Sequence, residues 1–148
     1  MVIDSSGTLD TSRTAHDLAK TIIEKPLKNR AVVVALEGEL GAGKTTFVQA
    51  FAKTLGVQET LTSPTFVILK HYTLHATRYA NLVHIDAYRL KDHIELEKLG
   101  IKNLVANPCN IILIEWADRV REILPEDTIY IQMDHIDEKT RKISINQL

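Results

Sequence analysis

The chain has 148 residues, 45% of them hydrophobic and 25% charged, with a formal net charge of −1. These values describe an ordinary soluble globular protein of one domain, 1–148, and argue against a disordered chain or a membrane protein. The balanced charge leaves no general footprint for nucleic acid; no apolar run nears the roughly 20 residues that cross a bilayer, and the N-terminus lacks signal-peptide features, so a cytoplasmic location is expected.

Residues 11–23 carry Ala15, Leu18, Ala19 and Ile22 at helical spacing. The pattern predicts a helix with Asp10 or Thr11 as its N-cap and Pro26 near its end. His16 within it reads as a solvated surface residue. An almost unbroken aliphatic run follows at 31–36, rich in β-branched residues, as expected of a strand buried on both faces.

Directly after that strand stands Gly38-Glu39-Leu40-Gly41-Ala42-Gly43-Lys44-Thr45, which fits the phosphate-loop pattern G-x-x-x-x-G-K-[ST]. The glycines permit backbone turns that aim successive N–H groups at phosphates. Lys44 would reach the β- and γ-phosphates and Thr45 would offer its hydroxyl to Mg²⁺. Residues 46–55 then place Phe47, Ala50, Phe51 and Leu55 on one helical face, with Gly56 ending the helix. A strand before the loop and a helix N-terminus after it are the context in which this motif binds nucleotide.

Leu61-Thr62-Ser63-Pro64-Thr65-Phe66 reads as a rigid connector. Its three hydroxyls either contact phosphate, metal or water, or merely cap and turn the chain. Runs 66–72 and 82–88 are strand-like, and the polar stretch between them would close an antiparallel hairpin. Period two puts His84, Asp86 and Tyr88 on one face of the second strand, and Val83, Ile85 and Ala87 on the other. Asp86 is a candidate for positioning metal or water; a helix N-cap or an ion pair with Arg89 is the structural alternative.

Residues 92–105 predict one or two short helices broken at Gly100, and Asn107-Pro108 turns the chain. Cys109, the only cysteine, is expected to be an inert core thiol. The aliphatic strand 111–114 runs into Glu115-Trp116, as a Walker B strand does, although Asp is the commoner acid. A short helix is expected over 117–124, with Arg119 close enough in sequence to Glu115 to contact a phosphate. Runs 128–133 and 141–146 alternate cleanly and predict a terminal hairpin with one face on the core.

Taken together, Gly38-x-Leu40-Gly41-Ala42-Gly43-Lys44-Thr45-Thr46, Thr62-Ser63-Pro64-Thr65-Phe66, His84-x-Asp86-x-Tyr88-Arg89-Leu90 and Ile114-Glu115-Trp116 with Arg119 resemble the TsaE (YjeE) family of small bacterial P-loop ATPases. The resemblance implies ATP and Mg²⁺ as cofactors and a role in threonylcarbamoyladenosine modification of tRNA. It implies TsaD and TsaB as partners, with tRNA reached through that complex. Carried onto this chain, it gives Lys44, Asp86 and Glu115 catalytic roles and makes Thr45 and Glu115 metal ligands. Thr14, Glu39, Leu40, Gly41, Ala42, Gly43, Lys44, Thr45, Thr46, Trp116 and Arg119 become nucleotide contacts.

The expected architecture is a three-layer α/β P-loop NTPase fold, mostly parallel at the centre with an antiparallel hairpin and edge strands. Two other activities stay open at this point. One is a small-molecule P-loop kinase, with Asp86 orienting a substrate hydroxyl and Arg119 or Arg121 over the γ-phosphate. The other is a GTPase-type switch, against which stands the absence of any N-K-x-D or T-K-x-D segment.

Overall fold

The aliphatic run at 31–36 becomes β2 (Val32–Gly38), an inner strand of a seven-stranded sheet. The computed structural model describes residues 2–5, 8–38, 43–61, 69–138 and 140–146, with nothing given for the side chains of 3–5, 8 and 9. In chain order the elements are β1 (Val2–Ser5), α1 (Thr8–Glu24), β2, α2 (Lys44–Thr54), β3 (Leu69–Thr73) and β4 (Asn81–Asp86). There follow α3 (His93–Lys98), α4 (Ile101–Ala106), β5 (Asn110–Glu115), β6 (Ile129–His135) and β7 (Arg141–Asn146).

The sheet order is β1-β7-β6-β2-β5-β4-β3. Its four middle strands, β6, β2, β5 and β4, run parallel. Antiparallel pairing adds β3 at one side and β7 and β1 at the other. Both predicted hairpins form, β3 with β4 and β6 with β7.

Parallel strands are covered on both faces because their crossovers deposit helices there. One face packs Val34, Leu36, Leu82, Ile111, Leu113, Ile131 and Ile143 against α1 and α2. The other packs Val33, Ala35, Val83, Ile85, Ile112 and Ile114 against Leu96 of α3 and Ile101 of α4. The alternation expected along 82–88 is therefore obeyed, and the molecule has the three layers expected of it. Each fully buried Leu, Ile or Phe in these layers stabilises by about 1.5–3 kcal/mol.

Several local expectations are corrected. The first helix begins at Thr8, so Asp10 and Thr11 lie within its first turns and do not cap it. Thr14 shows why such residues need not stop a helix: its hydroxyl donates to the Asp10 carbonyl one turn back, at 3.0 Å. The segment 117–124 forms two 3-10 turns, Ala117–Arg119 and Arg121–Ile123. Its amides bond three residues back, as Val120 to Ala117 and Leu124 to Arg121, which leaves no α-helical turn. Cys109 is half-buried in the turn before β5, outside the core. The edge strand β1 has no counterpart in the sequence reading.

Candidate functional site

The C-terminal ends of β2, β4 and β5 meet at one edge of the sheet. β2 ends at Gly38, whose φ of 145° lies where side chains are rarely tolerated. A Cβ there would sit 2.1 Å from the Met133 carbonyl oxygen of neighbouring β6, so only glycine lets the chain leave the sheet here. Glu39, Leu40, Gly41 and Ala42, expected to cradle phosphate, lie outside the described residues, as do Thr62, Ser63, Pro64, Thr65 and Phe66.

Gly43, at φ 96°, turns the chain into α2 and, as a glycine, brings no side chain of its own to cap that helix N-terminus. A helix N-terminus points its first amides and its positive dipole end at an anion. Thr45 is exposed and Thr46 half-buried in the first turn.

Lys44 is 7% exposed. Its Nζ donates to the Gly38 carbonyl at 2.6 Å and lies 3.6 Å from the Trp116 ring centroid. Burial pushes its pKa down, against the opposing charges of Glu115, Asp118 and Asp86. A partly desolvated ammonium attracts phosphate more strongly than one surrounded by water.

Those acids come from strand ends. Asp86 closes β4 and Glu115 closes β5, and the two are direct partners in the parallel ladder. Burial pushes the Asp86 pKa up, opposed by a hydrogen bond from the Tyr88 amide; the Glu115 charge adds to the rise, and His84 and Lys44 oppose it. That bond, Tyr88 N to Asp86 Oδ1 at 3.0 Å, makes an Asx turn. Asp86 thus neither caps a helix nor, among the described residues, pairs with Arg89. Glu115 is buried, and its Oε2 lies 2.7 Å from His84 Nε2.

Trp116 follows with φ 58°, the one described non-glycine residue at positive φ. This strained turn swings its indole over Lys44 and against Tyr88, with ring centroids 5.0 Å apart. Arg119 lies over the Tyr88 ring at 5.5 Å and donates to the Leu90 carbonyl at 3.4 Å. Arg121 is held elsewhere, forked onto Glu37 at 3.1 and 3.2 Å.

The structure thus brings Gly43, Lys44, Asp86, Glu115 and Trp116 together. Arg119 joins through Tyr88. Thr14 is buried on α1. Its neighbour Thr11 is the α1 side chain beside Gly43, 3.8 Å from where a Cβ would stand. Sequence reasoning missed Thr11 and the bond from His84 to Glu115. Period two put His84 on the Asp86 face, but only the alignment of β4 with β5 joins it to Glu115.

The donor set fits a nucleotide with Mg²⁺. Among the described residues no cluster of three His, Cys, Asp or Glu could hold a metal by itself. Mg²⁺ is usually shared between one or two carboxylates and substrate phosphates, with no all-protein cage. Among the described residues no helix is long and apolar enough to cross a membrane.

The family model described as "Threonylcarbamoyl adenosine biosynthesis protein TsaE" matches residues 8–143. The chain is 38% identical over 136 residues to the tRNA threonylcarbamoyladenosine biosynthesis protein TsaE of Treponema pallidum, covering 90% of this chain and 96% of that one. It is 38% identical over 112 residues to the protein of the same name from Bacillus subtilis, covering 76% and 67%. Among solved structures, YdiB of Bacillus subtilis superposes with a TM-score of 0.75 at 28% identity, covering 98% of this chain and 83% of that chain.

Proposed function

The chain belongs to the TsaE family of tRNA threonylcarbamoyladenosine biosynthesis, and from that premise we propose that it is a Mg²⁺-dependent, slow ATPase acting in the cytoplasm as one domain with TsaB and TsaD. The observation that supports this reading is the placement of buried Lys44, at the N-terminus of α2, against the paired strand-end acids Asp86 and Glu115. Phosphoryl transfer to water asks a protein chiefly for positioning and charge neutralisation.

In this reading ATP lies along the α2 N-terminus. Lys44 neutralises the β- and γ-phosphates, and its desolvation strengthens that interaction. Thr45 and Glu115 hold Mg²⁺, which supplies further charge neutralisation when bound. Asp86 or Glu115 orients the attacking water. Glu39, Leu40, Gly41, Ala42, Gly43 and Thr46 contact the phosphates. Trp116 and Arg119 border the nucleotide, with Thr14 near the base. The tRNA is reached indirectly, through TsaD and TsaB. The forked engagement of Arg121 with Glu37 counts against a kinase that would place Arg121 over the γ-phosphate.

The test is ATP hydrolysis by the full chain, alone and with TsaB and TsaD, beside Lys44→Ala and Glu115→Ala. Stimulation by the partners and a loss of at least about a hundredfold in both variants is the expected outcome. Phosphate transfer to an added metabolite would replace the ATPase reading with a kinase. Tight GTP binding would replace it with a switch.

A further inference from the structure

We propose that His84 is a positioning residue for Glu115, holding its carboxylate in the orientation from which it acts on water or metal. The inference rests on the ATPase reading above and names a residue that reading does not use. Both partners are enclosed, the side chains of His84 and Glu115 being 1% and 6% exposed, and the 2.7 Å separation is short for a hydrogen bond from nitrogen to oxygen.

The backbone on each side of the bond is fixed. His84 stands opposite Leu113 and Asp86 opposite Glu115, so the imidazole and the carboxylate share one face of adjacent parallel strands. The ladder continues past the strand end, where the Ala87 amide donates to the Glu115 carbonyl at 2.9 Å. The backbone at both ends of the bond is thus held by the sheet.

On that same face the flanking positions Leu82, Ile111 and Leu113 are fully buried aliphatics. An apolar residue at 84 would continue their packing, yet an imidazole stands there. With a carboxylate opposite, Nε2 carries the hydrogen and donates it. Nδ1 is buried and has no partner among the described residues. A histidine retained only as a satisfied core residue would bond through both nitrogens. Among the described residues this one bonds Glu115 alone.

The bond restrains a side chain with three rotatable torsions and takes one acceptor site of Oε2. Oε1 takes no part in the bond to His84. An acid meant to orient water at the sheet edge gains from such restraint, since a misplaced general base or metal ligand loses rate without losing nucleotide affinity.

The experiment compares wild type, His84→Met and His84→Gln in the full chain with TsaB and TsaD. Glutamine keeps a donor near the Nε2 position; methionine fills similar volume without one. His84→Met should lose about 10–100-fold in kcat with KM changed less than about twofold, and His84→Gln should recover most of the loss. ATP affinity by calorimetry in EDTA should be the same in all three, a readout that general damage to the core would move. In the wild-type chain, the imidazole ¹⁵N spectrum should show Nε2 as the protonated nitrogen of His84.

Equal kcat in wild type and His84→Met overturns the proposal, and so does a ring protonated at Nδ1. A His84→Gln protein that binds ATP normally but hydrolyses it 10–100-fold more slowly than wild type also overturns it. If His84→Met does not fold, the glutamine variant and the spectrum decide on these same criteria. Absence of hydrolysis in wild type would instead sink the ATPase reading, and the spectrum would still judge the bond to Glu115.

Discussion

Lys44 and Asp86 are both held where burial opposes their charge, Lys44 shifted down and Asp86 up. For Asp86 the sign is direct. The folded chain holds this proton more tightly than the unfolded chain, so stability falls as pH rises from the ordinary value of 3.8 through the raised folded value. Above that window the penalty is complete. Urea unfolding in EDTA across this range should show wild type losing stability relative to Asp86→Asn as pH increases; parallel curves would contradict it. Lys44, Asp86 and Glu115 were legible as candidates because motif spacing and strand ends are local features of the sequence. The hydrogen bond from His84 to Glu115 was not, because it depends on which residues of β4 and β5 stand side by side. Thr11 escaped for a similar reason: its place beside Gly43 depends on how α1 packs on α2.

The helix that begins with Lys44 is anchored by Phe47, Phe51 and Leu55, all fully buried, with the two phenyl rings stacked at 6.2 Å. Phe51→Ala should cost about 3–5 kcal/mol in urea unfolding, since the surrounding side chains refill the space only in part. Its effect on ATP affinity in the still-folded fraction should be small, because Phe51 stands about two turns along α2 from the helix N-terminus. This helix was legible from its apolar spacing and from Gly56, which takes φ 92° just past its end. The α3–α4 break at Gly100 was equally plain, with φ 87°. Elements held by tertiary pairing were harder to read. β1 is four residues long and, among the described strands, pairs with β7 alone. The 3-10 turns after Trp116 carry the composition of a helix, but Pro125 follows too closely for one to propagate.

Across the whole molecule, the parallel centre could be inferred from aliphatic runs alternating with helical patterns, and both hairpins from alternation. The strand order could not, because several permutations bury the same residues. In the order observed, β6 flanks β2 and its Met133 carbonyl enforces glycine at 38. A chain ending at Pro125 would keep every proposed nucleotide contact yet lose β6 and β7. It should show no cooperative thermal transition and no ATP binding, and a folded, ATP-binding fragment would contradict the dependence of the site on these strands. The same pairing has a consequence in time. Val32 lies beside Ile111 and Val34 beside Ile129. At synthesis rates of about 5–20 residues per second, β2 leaves the ribosome roughly 4–20 seconds before both neighbours exist. ATP therefore cannot template early folding of the nascent chain. During that interval the valine-rich strand lacks both sheet neighbours, and the paired acid from β5 arrives only with the last third of the chain.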